Sequence, residues 1–390
     1  MESLYRNFKQ KLEDTPTDYL RSFHEEIEWG ARLVAILGAK GVGKSTLVLQ
    51  HIKLHESVNK VLYVSADDLY FTSHSLFELA ERFYTDGGEA LYIDEIHKYE
   101  GWSREVKNIY DTFAKLRVCY TGSSVLDLEK GGADLSRRKL EYKMYGLSFR
   151  EYLAIEKGLD IPKHTLEQIL ANDIIFPYKD FRPVALFKDY LKHGYYPFFK
   201  EKGYWQRLNA VVKETIEVDI PHYAELSLTT AQKLRKLLYI ISQSVPFKPN
   251  YSKMARDLDL NRNLVSDLVL WLEKAQLINI LRDDTHGISS LGKVDKVYLS
   301  NPNLAYALSD TDPDVGNVRE TIFLASLLPL YNITSASSGD FKVNDYIFEV
   351  GGKNKTQKQI QGLEKAYVVK DDIEFGYLNV LPLWAFSLMY

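Results

Sequence analysis

Cysteine is nearly absent: Cys119 stands alone among 390 residues. That excludes an intramolecular disulfide and any cysteine-based zinc cluster, and it suits a reducing compartment. Long apolar runs are missing too, since none approaches the roughly 18 residues of a membrane-spanning helix. The opening stretch MESLYRNFKQKLED carries charges throughout and has no continuous apolar segment, so no export signal is read there. A cytoplasmic protein without a membrane partner is the expectation. Net charge is small, because 49 Lys and Arg against 53 Asp and Glu leave −4. This excludes a nucleic-acid coat or a polybasic anchor but leaves a local basic face open. Proline (12) and glycine (22) are too sparse for a low-complexity chain, and 45% hydrophobic with 26% charged residues is a globular composition. At roughly 150 residues per domain, the length implies two or three domains. The 27 Tyr and 18 Phe are spread along the whole chain, which reads as core packing rather than a base-stacking platform.

What is present concentrates near the amino terminus. The apolar run LVAIL (33–37) leads directly into GAKGVGKST (38–46) and then LVLQHIKLH, giving strand, glycine-rich loop and helix. The loop fits the pattern G-x-x-x-x-G-K-[ST]. Gly38, Gly41 and Gly43 allow the backbone N–H groups of Gly38, Ala39, Lys40, Gly41, Val42 and Gly43 to turn inward around phosphate oxygens. Lys44 can reach the β- and γ-phosphates, Ser45 can ligate Mg²⁺, Thr46 can add an α-phosphate contact, and the helix offers its positive end to the anion. Further on, ALYIDE (90–95) ends a strand in two acids. Asp94 can complete the Mg²⁺ ligands opposite Ser45, and Glu95 can polarise an attacking water.

VLYVSADD (61–68), RVCYTGSS (117–124) and KLEYKMYGL (from 139) are further strand candidates. Strands alternating with helices imply a parallel sheet with right-handed crossovers. Ligands of such sheets sit beyond the carboxyl ends of the strands, where the loop, Asp94, Glu95 and Ser123 would converge. Ser123 is a candidate contact for the γ-phosphate or the water. Arg137 and Arg138 in LSRRKL are candidates for neutralising phosphate charge on a neighbouring subunit, which requires self-association.

Together the loop GAKGVGKST, YIDEIHKYEGW, the TGSS strand end and LSRRKLEYKMYGLSFREYL resemble a prokaryotic family of AAA-type (AAA+) ATPases. The resemblance spans nearly the whole chain. It implies an α/β P-loop NTPase sheet followed by a helical lid, a winged helix and a small mixed α/β domain like restriction-endonuclease folds. It also implies Walker A at 38–45, Walker B at Asp94 and Glu95, a sensor residue at Ser123 and an arginine finger at Arg137 or Arg138, with ATP and Mg²⁺ as the ligands. His97 and Trp102 belong to the resembling string; Trp102 is expected to pack under the next helix, and no chemical role follows for His97.

The expected domains are 1–147 (ATPase), 148–230 (helical lid), 231–300 (winged helix) and 301–390 (restriction-endonuclease-like). Periodic segments such as SFREYLAIEKG and WQRLNAVVKETIEVDI form the lid. In the winged helix, three helices precede a hairpin made of LINILR and KVYLS, with Asn261 capping the third helix. Arg262, Asn263 and Ser266 would face a DNA groove, although Asp257, Asp259 and Asp267 weaken such a face, and a protein partner is an equal alternative. In the last region, a helix at 355–364 is expected between strands YIFEVGG and AYVVK, and NVLPLWAF is read as a closing strand. Asp340 and Glu349 form a candidate second Mg²⁺ site, with Glu320 in support. A lysine two residues after the second acid is the usual companion; Gly351 stands there, with Lys353, Lys355 and Lys358 nearby. Three functions stay open: an ATPase that hydrolyses ATP to switch conformation and acts on nucleic acid, an ATP-gated Mg²⁺-dependent nuclease, and a nucleotide-switched protein-binding module.

Overall fold

Each apolar run of the amino-terminal half becomes a strand of one parallel sheet. The computed structural model describes residues 1–124, 135–175, 178, 181–284, 293–309 and 311–390. Its first unit, Met1–Tyr145, begins with α1 (Glu2–Asp14), then β1 (Leu33–Gly38) and α2 (Lys44–His55). It continues through β2 (Val61–Ser65), α3 (Leu76–Thr85), β3 (Ala90–Asp94), α4 (Trp102–Thr112), β4 (Arg117–Ser123) and β5 (Leu140–Met144). All neighbours pair parallel in the order β2-β3-β4-β1-β5. Every residue of β1 and β3 is buried, as a sheet covered on both faces requires. The edge strand β2 is covered by α1, whose Leu4, Phe8 and Leu12 form its buried stripe and whose Phe8 ring stacks on Tyr63. Trp102 opens α4 and packs against Tyr120 of β4, and Cys119 is buried mid-strand.

The second unit, Gly146–Tyr390, starts with helices α5 (Phe149–Lys157), α6 (Leu166–Leu170), α7 (Pro183–Asp189), α8 (Tyr204–Glu214) and α9 (Ile220–Ala224). A buried capping box, Ser148 with Glu151, starts α5, and Gly158 in the left-handed region ends it. Next come α10 (Leu228–Ser242), α11 (Tyr251–Leu258), α12 (Arg262–Lys274) and the antiparallel pair β6 (Ile278–Arg282) and β7 (Val294–Leu299). Asn261 caps α12 by accepting the Leu264 N–H at 2.7 Å. The unit finishes with α13 (Pro302–Ala307), α14 (Val315–Leu327), β8 (Ile333–Ser335), β9 (Phe341–Val343), β10 (Tyr346–Gly351), β11 (Ala366–Lys370) and β12 (Val380–Pro382).

Three features differ from the sequence-based expectation. First, β6 and β7 are not a free-standing wing. They close one side of a seven-stranded mixed sheet ordered β12-β11-β10-β9-β8-β6-β7, so the expected division at 300/301 cuts through one sheet. Second, 355–364 forms turns rather than a helix. Of its apolar residues Ile360 is buried while Leu363 is 42% exposed, so a helix there would have almost no stripe to bury. Third, NVLPLWAF gives only the three-residue β12 and then a 3₁₀ turn, Leu383–Leu388, that starts at Pro382.

At the end of α2, a buried histidine carries a pH consequence. His51 lies flat on Trp29, with ring centroids 3.8 Å apart, and its Nδ1 is 3.0 Å from His24 Nε2. Burial, reinforced by His24, pushes its pKa down to about 4. An unfolded His51 titrates near the ordinary value of roughly 6.5, so the unfolded chain binds the extra proton first. The stability it contributes is complete above about pH 6.5 and is lost as pH falls toward 4. On that basis the first unit loses about 2 kcal/mol between pH 7 and pH 5 through this group. Urea titrations of wild type and His51→Asn at both pH values test this: the variant should lose less stability on acidification, and equal losses would refute the assignment.

Candidate functional site

Sheet order brings the carboxyl ends of β1, β3 and β4 side by side. Gly38 is registered with Ser123 on one flank and with Met144 on the other. A Cβ at Gly38 would lie 2.3 Å from the Met144 carbonyl oxygen, so only glycine fits where the loop leaves the sheet. Gly41 and Gly43 have φ of 84° and 97°, a region open to glycine, and Gly43 is the cap from which α2 starts. Lys44 is buried, and its Nζ donates to the carbonyls of Gly38 (2.9 Å) and Ala39 (3.0 Å). Arg21 braces the loop from below, donating to Val42 O at 3.2 Å and to Tyr145 O at 2.9 Å. Val42 and Ala39 are buried, and Thr46, in the first turn of α2, is exposed.

Asp94 is the hub. Its Oδ1 accepts from Ser45 Oγ at 3.0 Å and from Thr121 Oγ1, and its Oδ2 accepts from Tyr63 OH at 2.6 Å. The hydroxyls come from α2, β4 and β2, so one carboxylate on β3 ties three neighbouring elements together. Glu95, next in the chain, has φ 54° and ψ 41°, a left-handed conformation uncommon for a side-chain-bearing residue. Its N–H donates to Thr121 Oγ1 at 3.1 Å, which helps hold that turn. Burial raises the Glu95 pKa above the ordinary carboxylate value, and Lys44 opposes the rise. Ser123 and Ser124 are buried at the end of β4.

Sequence reasoning missed two residues here. Tyr63 is read from the sequence only as part of a strand, yet it bonds Asp94. His97 had no derived role, yet it lies against both Glu95 and Ser123: its Nε2 is 3.3 Å from Glu95 Oε2, and its Nδ1 accepts the Ser123 N–H at 3.3 Å. A polar-tipped aromatic inside an apolar strand and an imidazole just past a paired-acid strand end were the available signals.

The two arginines part ways. Arg138 is held by Asp111 of α4 through two bonds, Nε to Oδ1 at 3.0 Å and an Nη to Oδ2 at 3.1 Å, while Arg137 is exposed.

In the second unit, Asp340 immediately precedes β9 and Glu349 lies on the neighbouring β10, with Glu320 on α14. Asp340 Oδ2 accepts the Val350 N–H at 3.0 Å, and Lys296 lies 3.4 Å from Asp340 Oδ1 and 3.9 Å from Glu320 Oε2. Tyr298 OH donates to Glu320 at 2.8 Å. Fully buried Glu349 is ion-paired with Lys355, and the Gln359 side-chain amide, when oriented with its nitrogen toward the carboxylate, donates to both of its oxygens at 2.8 Å. Burial raises the pKa of both Glu320 and Glu349, and the nearby Asp340 adds to the rise. The lysine at Glu349 is thus Lys355; Lys353 and Lys358 are exposed. Among the described residues, no group of three or more His, Cys, Asp and Glu is arranged to hold a metal ion.

The five-stranded parallel sheet and its glycine loop define an AAA-type P-loop fold. Residues 30–153 match a family model described as an AAA domain. A second model, described as a domain of unknown function, matches residues 184–315 and spans both expected divisions of the second unit. An uncharacterized protein of Methanocaldococcus jannaschii is 30% identical over 265 residues, covering 63% of this chain and 56% of that protein. The chain spans about half the length of the curated relatives it matches. Among solved structures, the Aeropyrum pernix ORC1 protein in complex with DNA is 13% identical, covering 78% of this chain and 91% of that one, with a TM-score of 0.32. An S. cerevisiae Hsp104-ADP complex is 16% identical, covering 68% of this chain and 39% of that one, with a TM-score of 0.29. Among the described residues, no helix is long and apolar enough to cross a membrane.

Replacing Gly38 by Ala should drive the loop away from β5 and destabilise the first unit by about 1–3 kcal/mol, the usual cost of overpacking. A urea midpoint for Gly38→Ala equal to that of wild type would contradict the close approach to Met144.

Proposed function

We propose that this chain binds ATP with Mg²⁺ at the 38–46 loop and hydrolyses it to switch conformation. The observation that carries this reading is the approach of Ser45 Oγ to Asp94 Oδ1 at 3.0 Å, beside buried Lys44. Mg²⁺ takes hard oxygen donors and keeps several waters, so one hydroxyl and one nearby carboxylate are a fitting protein contribution. When bound, the ion neutralises charge on the β- and γ-phosphate oxygens. Lys44 exchanges its bonds to the Gly38 and Ala39 carbonyls for phosphate oxygens, and the inward N–H groups of residues 38–43 hold the remaining charge. Glu95, adjacent to Asp94, orients the attacking water and takes its proton. Ser123, level with Gly38 across the sheet, contacts the γ-phosphate.

For action between subunits the reading favours Arg137, because Arg138 is already committed to Asp111. In the second unit the acids near β9 and β10 are paired with ammonium groups, which supports a structural rather than a hydrolytic use of Asp340 and Glu349. The exposed Arg262 and Asn263 at the start of α12 are the candidate contact surface for a nucleic acid or a protein partner.

Phosphate release and fluorescent-ATP binding by the purified chain test the proposal. Lys44→Ala should lose both. Glu95→Gln should keep ATP affinity while turnover drops by about 10²-fold or more, the usual contribution of a general base. Turnover unchanged in Glu95→Gln, or phosphate release independent of Lys44, would refute it.

A further inference from the structure

Asp94 is held from two sides, and the two sides differ in what they leave open. Its strand, β3, lies between β2 and β4. Oδ1 accepts from Ser45 of α2 and Thr121 of β4, whereas Oδ2 accepts from Tyr63 of β2 at 2.6 Å. One oxygen is therefore turned toward the helix that follows the phosphate loop, and the other toward the edge strand. Ser45, the proposed Mg²⁺ ligand, meets Oδ1 alone. The Tyr63 hydroxyl is fixed where it is. The residue is 3% exposed, its ring stacks on Phe8 of α1 with centroids 6.4 Å apart, and Lys11 Nζ lies 5.2 Å from the ring centre. A phenol has one O–H to donate, and here it is spent on the oxygen that a second metal bond from Asp94 would need.

We infer that Tyr63 is a specificity-determining residue for the metal: by holding Oδ2 it limits Asp94 to one metal-facing oxygen and so favours Mg²⁺ over Ca²⁺ as the ion bound with the nucleotide. The inference rests on the ATP and Mg²⁺ reading above. Both ions carry the same charge, so charge alone does not separate them; the number of oxygens each demands does. Mg²⁺ is small, keeps several waters and needs few protein oxygens, whereas Ca²⁺ takes about six to eight and readily draws on both oxygens of one carboxylate. A carboxylate fastened at Oδ2 serves the first ion and is a poor ligand for the second. Without the hydroxyl, Asp94 loses its fixed aim and can turn both oxygens to one ion. Tyr63 touches neither metal nor phosphate in this account; it acts through the direction of Asp94.

Two substitutions separate this role from mere packing. Tyr63→Phe removes the hydroxyl and keeps the ring that stacks on Phe8. Thr121→Val removes a donor from Oδ1 and leaves Oδ2 held. Binding of a fluorescent ATP analogue by the full chain, followed during separate Mg²⁺ and Ca²⁺ titrations, gives the readout without reference to turnover. The metal affinity of the free nucleotide is common to all variants, so it cancels when each is compared with wild type. Tyr63→Phe should raise the half-saturating Mg²⁺ concentration about 10-fold, as for loss of an outer-shell partner, while that of Ca²⁺ stays the same or falls. Thr121→Val should weaken both ions by the same factor. An unchanged ratio of the two midpoints in Tyr63→Phe, or a shift of that ratio toward Ca²⁺ in Thr121→Val, would overturn the selectivity. If nucleotide binding by wild type does not depend on Mg²⁺ at all, the ATP and Mg²⁺ reading itself fails; Mg²⁺-dependent binding in wild type with an unmoved ratio in Tyr63→Phe defeats the selectivity alone.

Discussion

The carboxylate of Asp94 is the interaction on which the first unit's site depends. It is buried and accepts from three hydroxyls on three different elements, Ser45, Thr121 and Tyr63. Charge-assisted bonds of this kind are stronger than neutral ones, and removing any donor leaves a buried charge less well satisfied. The loop, the edge strand and β4 therefore share one reference point. Thr121 extends that reference to the next residue, since the same hydroxyl that donates to Asp94 accepts the Glu95 N–H. Tyr63 extends it in the other direction, because its ring lies against Phe8 of α1. A helix at the amino end of the chain thus packs on the far side of the residue that steadies the proposed Mg²⁺ ligand.

The first unit was legible in the sequence for a physical reason. Strands buried on both faces must be continuous apolar runs, and the phosphate loop needs glycine at positions whose backbone turns left-handed; both leave local marks. LVAIL, ALYIDE and RVCYTGSS give β1, β3 and β4 to within a residue or two. What was not legible depends on side chains that meet only after folding. Tyr63 and Asp94 are 31 residues apart, and nothing local marks the tyrosine as a partner rather than a core residue. The second unit was less legible for the same reason. LINILR and KVYLS were found as strands, but their membership in the larger sheet rests on the parallel pairing of β6 with β8, registered through Arg282 and Thr334. Such non-local pairing leaves no periodicity to read.

Asn303 shows how thoroughly the second unit overrides the divisions suggested by segment type. It is fully buried at the start of α13, yet all four of its bonds go to the helical region. Its Oδ1 accepts from Tyr195 N at 2.9 Å and Tyr204 OH at 2.7 Å, and its Nδ2 donates to Tyr190 O at 3.2 Å and Leu191 O at 2.8 Å. A buried amide with every donor and acceptor used is costly to disturb. Residues expected to form a separate lid and a separate terminal domain are therefore fastened by one side chain, in keeping with their grouping as one compact unit.

Gly351 explains how the acids of the second unit come to be neutralised as they are. A Cβ at this position would lie 2.6 Å from both Cγ and Cδ of Lys355, closer than such atoms ever approach. Any larger residue two places after Glu349, a lysine included, would collide with the stem of Lys355. The glycine gives Lys355 its path across the strand end, and the ammonium that meets the fully buried Glu349 arrives from the following turn instead of from the strand itself. Because a buried carboxylate without a partner is severely penalised, the two positions form one solution: small at 351, long and cationic at 355. Sequence spacing alone reads Gly351 as a missing charge, whereas the packing makes it the condition for a charge supplied from elsewhere. The turn that carries Lys355 also brings the Gln359 amide to the same carboxylate. The irregular segment 355–364 is thus held at two places, by Lys355 and Gln359 at Glu349 and by Ile360, which is buried in an apolar cluster with Ala366 and Val368.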